Sequence, residues 1–252
     1  MAVVDADIIV YGSNSMPDDD TATQIGGAIN KAIRVVFTDI DPTGGVEMVS
    51  DGADTRNVTL YYLDSASVLK SETKALDGTN VVAFTDNMGA ILKAVVASAS
   101  ATRTVTVRKA SAGATLITFV ADDTHLQTRR VCYNAVANPA GGATKKYYDK
   151  VFIANENATT DLQSAQVIEQ ADPNAVMAFI LEATLDGTGD NGVGNNRQVA
   201  PTGTFDSSTK NVANSGVLTH EKAQGAWVEL TLADGVAPAD TSFTLRLSGI
   251  SG

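Results

Sequence analysis

Asp18, Asp19 and Asp20 form the densest carboxylate run in the chain, and clustered carboxylate oxygens are what a calcium ion takes as ligands. Three consecutive side chains cannot all converge on one ion, so the run reads as a solvated loop. A second oxygen-rich stretch, Asp186 to Gly192 (DGTGDNG), sets glycines among oxygen donors. It has neither the closing glutamate of an EF-hand nor a following nonapeptide repeat. No residue is therefore assigned to a metal. The two histidines, His125 and His220, lie 95 positions apart, and the chain has no HExxH, G-x-S-x-G or Walker loop. Both read as polar loop residues. Nothing among the 29 acidic residues selects a pair for glycoside hydrolysis. Trp227, mid-strand between Ala226 and Val228, reads as core, with a sugar-stacking aromatic as the alternative. The expectation is that the chain has no catalytic, cofactor-binding or metal-binding residue and is not an enzyme.

The elements that would position any such group are strands. From Asn57 to Leu76, Val58, Leu60 and Tyr62 alternate with Thr59 and Tyr61. After Asp64 to Ser67, the run Val68, Lys70, Glu72 and Lys74 alternates with Leu69, Ser71 and Thr73. Two runs of period two around a short polar loop predict a β-hairpin. Similar runs predict strands at Ala6–Tyr11, the second half of Ala28–Ile40, Val46–Ser50, Val81–Thr85, Ile91–Ala97 (where a short helix competes and strand is favoured), Arg103–Lys109 and Thr115–Val120. In the second half they fall at Arg129–Val136, Lys145–Asn155, Leu162–Gln170, Val176–Ala183, Gly225–Leu232 and Thr241–Ser248. The last two are expected to pair as a hairpin. Polar Ala121–Thr128 reads as a boundary.

This predicts an all-β chain of two antiparallel β-sandwich domains, Ig-like or jelly-roll-like, with long loops. Residues 1–27 form an N-terminal strand and extended arm, 28–121 the first sandwich, and 122–252 the second. A loop over 186–214 is long enough to be functional or mobile.

The formal charge of −11 argues against direct nucleic-acid binding, since such a surface repels phosphate. Cys132 stands alone, so no intrachain disulfide forms, and it reads as a small buried apolar residue. The first residues lack a signal-peptide pattern, and no apolar run reaches the ~20 residues of a membrane span. The sequons at Asn57 and Asn157 are then empty.

Several stretches together resemble virion structural proteins of tailed bacteriophages. Asp5 to Ile29 carries the string "Y-G-S…M-P-D-D-D…G-G-A-I". Arg34 to Gly78 follows with "V-F-T-D-I", "V-E-M-V-S" and "S-E-T-K-A-L-D-G" in order. YYDKVFIANENATTDLQSAQV, GAWVELTLADGV and SFTLRLSG also look like phage virion β-domains. The resemblance implies a non-enzymatic virion component made in the host bacterial cytoplasm, with no site residues or cofactors to carry over. It implies a capsid cement or decoration protein, or alternatively a head–tail connector or tail component. Its partners would be the major capsid protein or portal and tail subunits, and further copies of itself. A carbohydrate- or receptor-binding module is the alternative of a different class.

Overall fold

A computed structural model describes residues 2–17, 23–36, 40–66, 68–128, 142–172, 174–235 and 243–252. Asp18 to Asp20, Phe37, Cys132, and the strand expected at Arg129–Val136 lie outside the described residues. The chain is all-β. Its contacts divide it into a terminal unit, Met1–Asn30 with Val131–Gly252, and a unit central in the sequence, Lys31–Arg130. The sequence-based division placed its boundaries at 27 and 121 instead, and set the first 27 residues apart. Charge follows the contact division. The central unit has 11 basic and 11 acidic residues, the terminal unit 7 and 18, so the whole net charge of −11 belongs to the terminal unit.

The chain enters through strands β1 (Ile8–Ser15) and β2 (Gly26–Val36), the latter running on into the central unit. There follow β3 (Val46–Ser50), β4 (Asn57–Asp64), β5 (Leu69–Ala75), β6 (Val82–Ala83), β7 (Met88–Val96), β8 (Val105–Lys109), β9 (Thr115–Phe119) and β10 (His125–Thr128). Two sheets result, ordered β2-β10-β7-β4-β5 and β6-β3-β8-β9. The period-two apolar positions of each face the other. Val58, Leu60 and Tyr62 of β4 share one core with Met48, Val105, Val107, Ile117 and Phe119.

The hairpin lies where the alternation puts it, with Val58 opposite Lys74 and Leu60 opposite Glu72. Asp64 closes its turn by accepting the Ala66 and Val68 N–H groups on one carboxylate oxygen. Segment 121–128 is not a linker. Its last four residues form β10, parallel to β2 and antiparallel to β7, with Leu126 buried in the core. One apolar residue among polar neighbours hid this strand, because it is inserted between two others by backbone pairing. His125 accordingly lies on a strand and not in a loop.

The terminal unit adds β11 (Lys145–Asn155), β12 (Leu162–Ala171), β13 (Met177–Leu185), β14 (Lys210–Asn211), a short helical turn α1 (Ala213–Gly216), β15 (Lys222–Leu232) and β16 (Thr244–Ser251). One sheet runs β13-β15-β11-β1 and the other β14-β12-β16. Strand β11 is buried from Tyr147 to Asn155, as its nearly continuous apolar run requires of a strand covered on both faces. Strand β16 does not pair with β15 as a hairpin. Both edges of β15 are occupied, by β11 over eleven residues and by β13, and β16 pairs with β12. The reason is packing: Leu245 and Leu247 of β16 close over Val167 and Phe179 in the core between the two sheets.

The N-terminal segment is also part of the terminal unit's sheet. Ile8 to Gly12 of β1 lie opposite Asn155 to Val151 of β11, and Tyr11 packs with Phe152, Ala154 and Ala223. Among the described residues, no helix is long and apolar enough to cross a membrane.

Candidate functional site

In the middle of β11 the sequence places two adjacent charges, Asp149 and Lys150, inside an otherwise apolar strand. Both are buried, so each needs a partner of opposite charge or a ring of dipoles. Lys150 is 0% exposed. Its ammonium lies 2.9 Å from Glu182 Oε1 and donates to the carbonyls of Gly27 (3.0 Å), Gly187 (2.9 Å) and Gly189 (2.9 Å). It also sits 4.8 Å from the Phe152 ring centre and 5.5 Å from that of Trp227. Glu182 Oε1 accepts the Trp227 indole N–H at 2.8 Å. One cation thus ties the start of β2, strand β13 and the loop after β13 to the middle of the sheet.

Burial draws the Lys150 ammonium below its ordinary value, against the pull of Glu182. Burial alone would push Glu182 up, but Lys150 and the Trp227 N–H outweigh it and hold the carboxyl below its ordinary value. A carboxyl held ionised in this way is no general acid at neutral pH.

Two glycines make room for the cluster. A Cβ on Gly225 would stand 2.7 Å from Glu182 Cγ and 3.1 Å from Lys150 Cε. Gly26, at φ +97°, brings its backbone onto the Trp227 ring, 2.6 Å from where a Cβ would lie. Gly225→Ala is expected to destabilise the terminal unit by about 1–3 kcal/mol through overpacking, read as a lower urea midpoint with an unchanged slope. An unshifted midpoint would show that the cluster yields freely.

The loop from Asp186 to Asn214, expected to be long and irregular, is fastened at further points. Arg197, 1% exposed, meets Asp149 at 2.7 Å, and its carbonyl accepts the Tyr148 N–H beyond the reach of β1 along β11. Asn191 accepts the Ile25 N–H on its side chain and donates to the carbonyls of Asn196 and Val199. Gly27 N–H bonds Gly189 O, and Phe179 N–H bonds Asp206 O, which covers part of the outer edge of β13. Between these anchors Gly192 and Gly194, both at positive φ, carry Val193 at the tip, 92% exposed. The loop is a built surface feature held by buried ion pairs.

A cleft of about 790 Å³ opens beside it, lined by Glu182, Asp190, Thr202, Thr204, Lys210 and Trp227 among others. Its charges are engaged within the protein. Lys210 pairs with Asp206, which the lysine and the Ser208 hydroxyl hold down to about 2, and it lies 4.9 Å from the Phe179 ring centre.

The other residues singled out from sequence have local partners. Asp186 accepts the Ala223 N–H and pairs with Lys222 at 2.8 Å, while Asp190 accepts the Gly192 N–H and a Gln24 N–H. Among the described residues, no three histidine, cysteine or acidic side chains gather as metal ligands. His125 Nδ1 lies 2.9 Å from the Thr124 hydroxyl in the central unit. His220 Nδ1 lies 2.7 Å from Asp161 in the terminal unit. Trp227 (2% exposed) and Tyr147 (0%) are core, and half-buried Tyr61 has the Lys93 ammonium 5.4 Å from its ring centre. Sequence reasoning missed Lys150, Glu182, Asp149 and Arg197. The available signal was the Asp149-Lys150 pair inside an apolar strand. Compared with family models, with curated proteins and with solved structures, the chain matches none.

Proposed function

We propose that this chain is a non-catalytic structural subunit of a tailed-phage virion, seated on the capsid as a cement or decoration protein. The observation that carries the reading is the fastened loop. Two buried cations, Lys150 and Arg197, fix a surface excursion that presents the uncovered Val193 tip. Pre-organising a tip removes the ordering cost a flexible loop would meet on docking. Many copies would then add modest contacts into a stable shell. The resemblance of the "Y-G-S…M-P-D-D-D…G-G-A-I" and "S-E-T-K-A-L-D-G" strings to phage virion proteins is the ground for naming a virion. The excess of acid in the terminal unit favours a basic surface on the neighbouring subunit.

The carbohydrate-binding alternative needs an exposed aromatic platform built from Trp227, Tyr61 and Tyr147; Trp227 and Tyr147 are inside, and half-buried Tyr61 is left as a single ring. A head–tail connector or tail component shares the assembly chemistry and differs in copy number.

Quantitative mass spectrometry of gradient-purified particles tests the proposal. The chain should be present at hundreds of copies per particle, and Val193→Asp should lower its incorporation about tenfold. A count of about six to twelve would move it to a connector ring. Absence from the particle would end the virion reading.

A further inference from the structure

We infer that two copies of this chain associate through β5, pairing antiparallel about a two-fold axis at Ser71. The inference deepens the assembly reading by naming a partner and an edge, and its test does not require a particle. Among the described residues, strand β5 ends its sheet, with β4 as its one neighbour. Hydrogen bonds Asp64 N–H to Val68 O and Leu76 N–H to Arg56 O fix the phase of the β4–β5 ladder. Val68, Lys70, Glu72, Lys74 and Leu76 therefore turn their backbone groups toward β4. The N–H and C=O groups of Leu69, Ser71, Thr73 and Ala75 point outward, and among the described residues they have no hydrogen-bond partner. The strand has no proline and no bulge against β4, two of the devices that blunt an edge; it does carry charge, and Lys70 and Lys74 are paired within the chain with Asp64 and Glu72. Thr85 and Asp86 are held from the side by the Glu72 carboxylate, which uses side-chain atoms and leaves the outward backbone open.

Charge and apolar cover select the register. With the axis at Glu72, that residue faces its own copy and Lys70 faces Lys74, so every charged position meets its like. With the axis at Thr73, Glu72 meets Lys74, but Val68 and Leu69 lie opposite Gly78 and Asp77, beyond the strand. With the axis at Ser71, Lys70 meets Glu72 twice. Leu69 then lies opposite Thr73, and Val68 opposite the stem of Lys74. Val68 and Leu69 are 52% and 51% exposed, and of these three registers this one alone covers both within the strand. It makes about six interchain hydrogen bonds, from Leu69, Ser71 and Thr73 of each copy. The occupant that fits is a second copy of the chain.

The test uses light scattering and site-directed cross-linking. At high micromolar concentration the protein should scatter with twice its mass of 26.1 kDa. Ser71→Pro removes an outward N–H without touching the ladder to β4, and should return the protein to a monomer. In a Cys132→Ala background, Ser71→Cys should oxidise to a disulfide dimer. Residues facing each other in a hydrogen-bonded pair have Cα atoms about 5.5 Å apart, within disulfide reach. Glu72→Cys and Thr73→Cys should cross-link at least about fivefold less. A monomeric wild type, a dimeric Ser71→Pro variant, or equal cross-linking at all three positions would overturn the inference. A chain that dimerises yet is absent from virions would leave it standing while removing the proposed location.

Discussion

Lys150→Ala should lower the stability of the terminal unit by about 3–5 kcal/mol, the range for breaking a buried ion pair from one side. Truncation strands Glu182 beside Trp227 and deprives the Gly27, Gly187 and Gly189 carbonyls of their shared donor. Trp227, the only tryptophan, is buried against this cluster, so its emission reports the unit directly. The melting midpoint followed there should fall by roughly 10 °C. Glu182→Gln keeps an oxygen for the ammonium and the indole, and should cost only about 1–2 kcal/mol.

The pH dependence separates this account from a packing defect. In the wild type the Glu182 carboxyl is held below its ordinary value, so its contribution is complete above the unfolded value. That contribution is lost as pH falls through the lower folded one. Without Lys150, burial is opposed only by the Trp227 indole and Gly189 N–H groups, so the folded value rises and the variant loses less stability on protonation than the wild type does. The difference between the two proteins should therefore shrink from pH 7 to pH 4. A difference independent of pH would mean that Lys150 acts only through its stem and the space it fills.

What the sequence discloses depends on which interactions are local. The β4–β5 hairpin could be read because alternation and an Asp-led turn are both written within 20 residues. The partner of β16 could not. Its alternation is plain, but which edge it takes depends on β15 being occupied on both sides by strands distant in sequence. Strand β10 was obscured because a parallel insertion needs no turn signal. Lys150 and Arg197 belong to a third kind. Charged residues usually mark solvent, and only the apolar residues flanking Asp149 and Lys150 imply that two charges are enclosed. The glycines that make room for them, Gly26 and Gly225, are indistinguishable in sequence from turn glycines. The loop's length pointed to its importance, while its fastening rests on backbone carbonyls that carry no residue code.

Deleting residues 2–15 should abolish cooperative folding of the terminal unit. A sequence-based view of this segment as an extended arm predicts the opposite, a folded protein that has lost a contact. Within the unit, however, β1 covers the edge of β11 over Gly12 to Ile8 and buries Tyr11 against Phe152, Ala154 and Ala223. Just before it, Asp7 accepts the Glu156 N–H at its carbonyl and the Asn157 amide at its carboxylate, fixing the turn that leads to β12. Removing the Tyr11 side chain alone should cost about 3–5 kcal/mol. Losing the whole strand also leaves a row of β11 backbone groups unpaired beside buried Phe152, and a domain with a total stability of about 5–15 kcal/mol does not absorb both. The expected result is a red-shifted Trp227 emission close to that of the urea-unfolded chain, with no cooperative transition at that probe. The milder Tyr11→Ala variant should retain the transition at a lower midpoint. Native emission and an unchanged melt after the deletion would show that the sheet closes without β1, and would restore the arm.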